Sequence, residues 1–352
     1  MRGKIRLAWI STYNSRCGLA THSADLLAHF DRDVYDIAIL ANDAQPVGPD
    51  PAELVRLWPD AAGSLAAVRR FIGGCDAVLV NFHPSLIALD ELAETLLTAQ
   101  KNGADTYVIL HKTCDTATEG GLVSLQSIAG VLRQCTALIV HSGADLARLQ
   151  GFGIAANVTM IPLGVSDRPP LRAGAVRGRQ GLRRRGPIIG SFGFLLPPKG
   201  LPQLVEGFGV LRRDFPEALL LLLTAEYPAP ESVKERARIL ARIRDLRLQE
   251  HVRLIDEFLA VDEILFLLAA CDLTVFAYQG SDESDSGAVR LGLAAGRPVL
   301  TTPLPIFANL SDSVHTLAGG GAADIAAGVE SVLRDRELST SLLRRQRQWI
   351  SG

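Results

Sequence analysis

Residues 187–208 read PIIGSFGFLLPPKGLPQLVEGF. An apolar run, PIIGSF, ends in a glycine-bearing loop, and Lys199-Gly200 then opens a segment of helical periodicity. Strand, loop and helix in that order form the repeating unit of doubly wound α/β sheets. Gly193 permits close backbone approach, while Lys199 puts a positive charge at a helix start, where the helix dipole disfavours it. A bound anion such as a diphosphate accounts for that lysine better than chance does. The stretch lacks G-x-x-x-x-G-K-[ST], so it is not a P-loop.

The same rhythm extends in both directions. Upstream, IRLAWI (5–10), YDIAIL (35–40), DAVLVNF (76–82), TYVILH (106–111), ALIVHS (137–142) and VTMIPL (158–163) read as strands. Downstream, EALLLLLTA (217–225), VRLIDEF (252–258), DLTVFAY (272–278) and RPVLTT (297–302) do the same, before helical segments around 322–335 and 337–350. Short Val, Ile and Leu runs separated by helix-length segments are the pattern of buried parallel strands with crossover helices. Ala88, Leu92, Ala93, Leu96 and Leu97, for example, share one helical face. Between the halves, DRPPLRAGAVRGRQGLRRRGP carries no apolar periodicity. The expected organisation is an α/β domain over 1–165, a linker over 166–186 and a second α/β domain over 187–352. No repeat of about 20 to 50 residues is present, which excludes a solenoid or propeller.

Composition sets the outer limits. The 352 residues are 48% hydrophobic and 21% charged with a net charge of -2, an ordinary globular balance that argues against wholesale nucleic-acid binding. No apolar run approaches the ~18 to 20 residues of a membrane span. MRGKIRLAWIS leads straight into a strand with no signal-peptide core, so the expected location is cytoplasmic. Cys17, Cys75, Cys114, Cys135 and Cys271 contain no CxxC pair, and neither a disulfide framework nor a zinc site is expected from their spacing. Arg172, Arg177, Arg179, Arg183, Arg184 and Arg185 suit peripheral association with anionic lipid or a phosphate-bearing acceptor; a solvated linker is the plainer account.

Parallel sheets bind ligands beyond the C-terminal ends of their strands, which directs attention to the following loops. In STYNSRCGLATHSADLL (11–27), Gly18 stands before an amphipathic helix, where it either admits a phosphate or sugar or simply makes a turn. No G-x-G-x-x-G occurs there, against a dinucleotide dehydrogenase. His111 ends the fourth strand ahead of a polar loop with Asp115 and Glu119; it is a titratable hydrogen-bonding group or a structural one. His141 reads as structural, with Ser142 as a helix cap. In GSDESDSGAVRLGLAAGRPVLTT (280–302), Ser284 or Ser286 can cap the helix, and Glu283 and Asp285 can bond sugar hydroxyls. That segment has no calcium-loop pattern and no histidine ligand, so no metal is expected in it. The absence of G-x-S-x-G weighs against an α/β-hydrolase.

Four segments in this order, RCGLATHSADLL, LIVHSGADLARLQGFGI with VTMIPLGV, PIIGSFGFLLPPKGLPQLVEGF, and SGAVRLGLAAGRPVLTTPLPIF, resemble the retaining glycosyltransferases of the GT-B fold. They are most similar to the family 4 group, which includes bacterial mannosyl- and glucosyltransferases. The resemblance covers nearly the whole chain. It implies two Rossmann-like domains facing a central cleft, a nucleotide-diphosphate sugar as donor, a saccharide or lipid-linked acceptor, retention by front-face attack, and no obligatory metal. It further implies that Gly18 faces the donor phosphates, His111 lies near the donor sugar, and Lys199 neutralises the diphosphate. Asp256, Glu257 and Phe258 would frame the base, and Glu283 would lie near the first donor-binding glutamate.

The chain departs from that pattern in two places. Phe194 stands where the family carries an arginine. When the segment is aligned on Gly287 and GRPV, the two glutamate positions are held by Ser284 and Gly292, so no residue is assigned to the ribose, with Arg290 nearby in the donor-binding segment. Two readings therefore stay open: an active transferase with a variant donor loop, or a non-catalytic sugar-nucleotide- or partner-binding module of the same fold.

Overall fold

The computed structural model describes residues 3–59, 63–118, 121–165, 177, 186–310 and 312–351. It divides into two compact units, Met1–Pro162 with Asp282–Asp285, and Leu163–Ser281 with Ser286–Gly352.

Unit 1 contains strands β1 (Ile5–Ile10), β2 (Tyr35–Asn42), β3 (Leu54–Trp58), β4 (Ala77–Phe82), β5 (Asp105–Leu110), β6 (Thr116–Thr118), β7 (Gly121–Val123), β8 (Ala137–Val140) and β9 (Val158–Met160). Its helices are α1 (Gly18–Leu27), α2 (Ala66–Phe71), α3 (Leu89–Lys101), α4 (Ala129–Leu132) and α5 (Gly143–Gly151). Seven strands form one parallel sheet in the order β3-β2-β1-β4-β5-β8-β9, and β6 and β7 make a separate antiparallel pair. β4 shows why the sheet is covered on both faces. Its AVLVNF is buried throughout, with Val78, Val80 and Phe82 in one core and Ala77 and Leu79 in the other. Period-2 alternation sends successive side chains to opposite faces, so a continuous apolar run needs apolar cover on each side.

Unit 2 repeats the plan with β10 (Ile188–Phe192), β11 (Leu219–Leu223), β12 (Val252–Ile255), β13 (Leu273–Phe276), β14 (Val299–Thr301) and β15 (His315–Thr316). The helices are α6 (Leu201–Leu211), α7 (Pro230–Asp245), α8 (Val261–Leu268), α9 (Gly287–Ala294), α10 (Ala322–Arg334) and α11 (Arg336–Ser351). Its six strands are parallel in the order β12-β11-β10-β13-β14-β15. In β11, Leu220 and Leu222 enter one core while Leu219, Leu221 and Leu223 enter the other.

Each strand order reverses once, between β1 and β4 in unit 1 and between β10 and β13 in unit 2. A crevice opens at such a reversal because the flanking crossover helices leave to opposite faces. The expected strands are present, most of them ending earlier than the apolar run, as VTMIPL does at Met160. Strands β3 and β15 and the β6–β7 pair add to them.

Val165 already packs against the cores of unit 2. Of the expected linker only Arg177 and Gly186 are described; Arg172, Arg179, Arg183, Arg184 and Arg185 lie outside the described residues, as does Glu119. Arg177 is bound within unit 2, donating to Asp272 Oδ2 and to the Ala270 carbonyl at 2.7 Å each. Among the described residues no helix is long and apolar enough to cross a membrane.

The loop after β10 is held by a close backbone approach. Gly200 has φ 66°, and a Cβ built there would lie 1.8 Å from the Ala277 carbonyl oxygen. Only glycine meets both conditions. Gly200→Ala is expected to destabilise the protein by about 3 kcal/mol or more. Gly18→Ala, at a position with no heavy atom within 4 Å of the added carbon, is expected to stay within about 0.5 kcal/mol of wild type. Denaturant midpoints of the two variants check the contrast, and equal midpoints would refute it.

Candidate functional site

In unit 1 the residues at the β1/β4 reversal form a continuous hydrogen-bonded chain. Asn81, fully buried near the end of β4, donates through Nδ2 to Ser23 Oγ at 2.9 Å and to Ser11 Oγ at 3.3 Å. Ser23 in turn donates to Ser11 Oγ at 3.0 Å. Asn81 Oδ1 receives His111 Nε2 at 2.6 Å. An amide oxygen only accepts, so Nε2 of His111 carries the proton. His111, directly after β5, therefore has its orientation fixed by β1, α1 and β4.

Two further imidazoles close around it. The His22 and His111 ring centroids are 4.7 Å apart, those of His111 and His141 4.7 Å, and those of His22 and His141 5.9 Å. Burial lowers His22 to about 4, and His141 acts in the same direction. Burial, followed by the neighbouring His141, His22 and His83, pushes His111 well below the ordinary imidazole range. Both rings are neutral at pH 7, because a charged form would be desolvated and would face other imidazoles.

The segment Asp282–Asp285 belongs to this unit through a second polar cluster. Asp145, buried in the first turn of α5, accepts from Thr113 Oγ1 at 2.5 Å, from Ser284 Oγ at 2.8 Å and from Ser142 Oγ. Arg148 donates to Thr113 Oγ1 at 2.7 Å and lies 3.7 Å from the same carboxylate. Glu283 meets His83 Nε2 at 3.2 and 3.3 Å, Asp282 lies 3.6 Å from Lys112 Nζ, and the Ser284 amide donates to the His111 carbonyl at 3.2 Å. Ser142 caps α5, as its position suggests, by accepting from the Asp145 amide. Gly18 opens α1 behind Cys17, which offers no side-chain cap.

In unit 2 the corresponding reversal gathers Gly193, Lys199, Tyr278 and Ser286. Gly193 leaves β10 at φ 147°, a value L side chains rarely adopt. Lys199 Nζ sits 3.9 Å over the Tyr278 ring, whose hydroxyl is 2.9 Å from Ser286 Oγ. Ser286 caps α9 by accepting from the Val289 amide, and Gly287 is that helix's exposed first residue. Ser284 is not the cap, because its hydroxyl is committed to Asp145. Phe194 packs edge-on against Tyr227 at 5.3 Å and stacks over Phe258 at 6.2 Å. Asp256, past the end of β12, is held by Arg236 at 2.6 Å, while Glu257 is exposed. Arg290 is buried with its guanidinium 4.5 Å over the Trp349 ring. Gly292 is glycine because an added Cβ would stand 2.7 Å from the Phe276 ring.

The residues anticipated from sequence thus fall into two sets, His111, Glu283 and Ser284 with unit 1, and Gly193, Phe194, Lys199, Phe258 and Ser286 with unit 2. His22, Asn81, His83, Asp145 and Tyr278 complete these sets without having been singled out for chemistry. Asn81 left a signal, a lone amide near the C-terminal end of a wholly apolar strand. The others are brought in by topology.

No family model matches the chain, and no curated protein matches it in sequence. Solved structures do. HepE of Anabaena, crystallised with UDP, superposes with a TM-score of 0.76 at 16% identity, covering 99% of this chain and 95% of that one. Sucrose-phosphate synthase from Thermosynechococcus elongatus gives 0.75 at 14% identity over 99% and 94%. The fold is GT-B. An α,α-trehalose-phosphate synthase from Burkholderia xenovorans, crystallised with glucose-6-phosphate, gives 0.71 at 11% identity over 98% and 95%. At these identities the likeness establishes the GT-B architecture alone.

Ser284→Ala is expected to cost about 1.5 to 3 kcal/mol, the scale of a hydrogen bond to a buried charge. The backbone amide at position 284, which donates to the His111 carbonyl, should then exchange hydrogen faster. Denaturation together with exchange mass spectrometry checks both effects; an unchanged exchange rate would show that Asp145 does not hold the segment.

Proposed function

We propose that the chain is a glycosyltransferase that moves a hexose from a nucleotide-diphosphate sugar to a saccharide or lipid-linked acceptor with retention of configuration. The observation that carries this reading is Lys199. It lies beside the strand reversal of unit 2, its ammonium rests on the Tyr278 ring, and among the described residues no carboxylate pairs with it. A cation in that place, next to the N-terminus of α9, suits a diphosphate whose negative charge grows as the glycosidic C–O bond breaks. Lysine rather than a metal then stabilises the leaving group. Phe194, Asp256, Glu257 and Phe258 are assigned to the base, Gly193, Ser286 and Gly287 to the phosphates, and Arg290 to the ribose side.

On the unit 1 side, Gly18 at the open start of α1 is assigned to the phosphates, and His111 and Glu283 to the transferred sugar. His111 acts as a neutral hydrogen-bonding group, since burial disfavours its cation. HepE has been crystallised with UDP-glucose and with UDP and glucose, which makes UDP-glucose the first donor to test. The arginines of the 166–186 stretch other than Arg177, which is held by Asp272, are assigned to a lipid-linked or phosphate-bearing acceptor at a cytoplasmic membrane face.

One observation favours the module reading. Gly292 occupies an expected glutamate position, and Phe276 fills the space a side chain there would need. Thermal stabilisation across UDP, GDP and ADP decides whether a nucleotide binds, because a ligand at about 100 times its Kd adds about 2.7 kcal/mol. Binding without transfer to any acceptor would favour the module.

Lys199→Ala is expected to lower turnover by roughly 10²-fold; an unchanged rate with purified donor removes Lys199 from the mechanism. His111→Ala is expected to reduce transfer while leaving free-nucleotide affinity intact. Calorimetry with the free nucleotide tests this, and collapse of both properties would assign the histidine to folding or to the base.

A further inference from the structure

We propose that His22, His111 and His141 form a binding site for one divalent transition-metal ion, with zinc the first candidate. It is argued from ring geometry and not from the glycosyltransferase reading, with which it shares His111; with a metal bound, that residue would meet a sugar only through the ion's open position. The three residues come from α1, from the residue after β5 and from the residue after β8. One ring nitrogen from each lies within 4.8 Å of the others.

The dimensions suit an ion. Nitrogens 2.0–2.1 Å from a tetrahedral zinc stand about 3.4 Å apart, and the centroids of their rings about 5.2 Å apart. The observed centroid separations, 4.7, 4.7 and 5.9 Å, bracket that value. The ring bodies are therefore already spaced for coordination.

The hydrogen bonds behind the rings are those a metal-binding histidine makes. His111 donates through Nε2 to the Asn81 amide oxygen at 2.6 Å, and His141 donates through Nδ1 to the Ile161 carbonyl at 2.8 Å. Each bond fixes one tautomer, so the lone pair is on Nδ1 of His111 and Nε2 of His141. A ligating imidazole commonly gives its second N–H to a carbonyl or carboxylate in this way, and removing that partner weakens binding. The orientation of Asn81 is itself determined, because its amino group donates to Ser11 and Ser23.

His22 supplies the third observation. Its Nδ1 is buried and makes no hydrogen bond among the described residues. An unpaired buried polar nitrogen carries a desolvation penalty that coordination would remove.

Three neutral nitrogen donors and no carboxylate select zinc, cobalt or nickel over magnesium or calcium, which prefer oxygen. A three-protein-ligand set leaves one position for water or an exogenous oxygen.

The test uses tag-free, full-length protein freed of metal with a chelator and titrated with Co²⁺, then with Zn²⁺ in competition. One equivalent of Co²⁺ should bind with the strong visible absorption of four- or five-coordinate cobalt, and Zn²⁺ should displace it while excess Mg²⁺ does not. His22→Gln is expected to weaken binding at least 100-fold. His22→Cys should restore it and add a thiolate-to-cobalt charge-transfer band, a signature that no purely structural role produces. Asn81→Ala should weaken binding about 10- to 100-fold. Absence of the visible band in wild type, or an affinity unchanged in His22→Gln, overturns the proposal. X-ray absorption of zinc-loaded wild type decides the matter if the variants fold poorly: a three-imidazole shell supports the site, and an all-oxygen shell refutes it. None of these readouts involves a nucleotide or sugar, so failure here and failure of the transferase reading are separable.

Discussion

A parallel strand covered on both faces has room for polar side chains only toward its ends, and both sheets obey this constraint. The middles of β4 and β11 carry nothing but aliphatic side chains, alternating between cores. Hydrogen-bonding capacity is displaced to the C-terminal ends, where Ser11, Asn81 and His111 gather in one unit and Gly193 and Tyr278 in the other. Where the strand order reverses, those ends are not closed over by crossover connections. The position of each candidate set within its own unit thus follows from the hydrophobic requirement of its sheet.

The two ends are electrostatically different. The unit 1 set is built from an amide, two hydroxyls and a group of imidazoles of which burial keeps His22 and His111 uncharged, backed by a carboxylate satisfied by hydroxyl donors and Arg148. The unit 2 set carries a formal positive charge on an aromatic face, with a helix N-terminus capped by serine beside it. Neutral hydrogen-bonding surfaces recognise hydroxyl-rich ligands by geometry, whereas a cation next to exposed amides selects for negative charge.

Much of the fold was legible because long apolar runs and helical periodicity are local properties. LLLLL at 219–223 and AVLVNF at 77–82 declare themselves. LVRLW at 54–58 does not, since its half-exposed edge position breaks the apolar run with Arg56, which reaches back to Asp50 at 2.8 Å. His315–Thr316 is too short to register. The site was legible only where it is local. Lys199-Gly200 stands out because a cation at a helix start needs a reason, and Gly200 has a second one in the Ala277 carbonyl. His22, His111 and His141 are scattered through the chain, and only the strand order brings them into contact. Nothing local marks Asp145, and Ser284 reads as one of two possible caps, because the contact between them joins residues 139 positions apart.

The Phe276 ring behind Gly292 constrains how this chain could change. A carboxylate cannot be introduced at position 292 while an aromatic ring lies 2.7 Å from its first carbon. Shrinking Phe276 first opens a void in a core it shares with Tyr278, Val289 and Phe307. Either single step lowers stability before the second can recover it. The two positions are therefore locked together, and a side chain at position 292 is accommodated only by a double replacement.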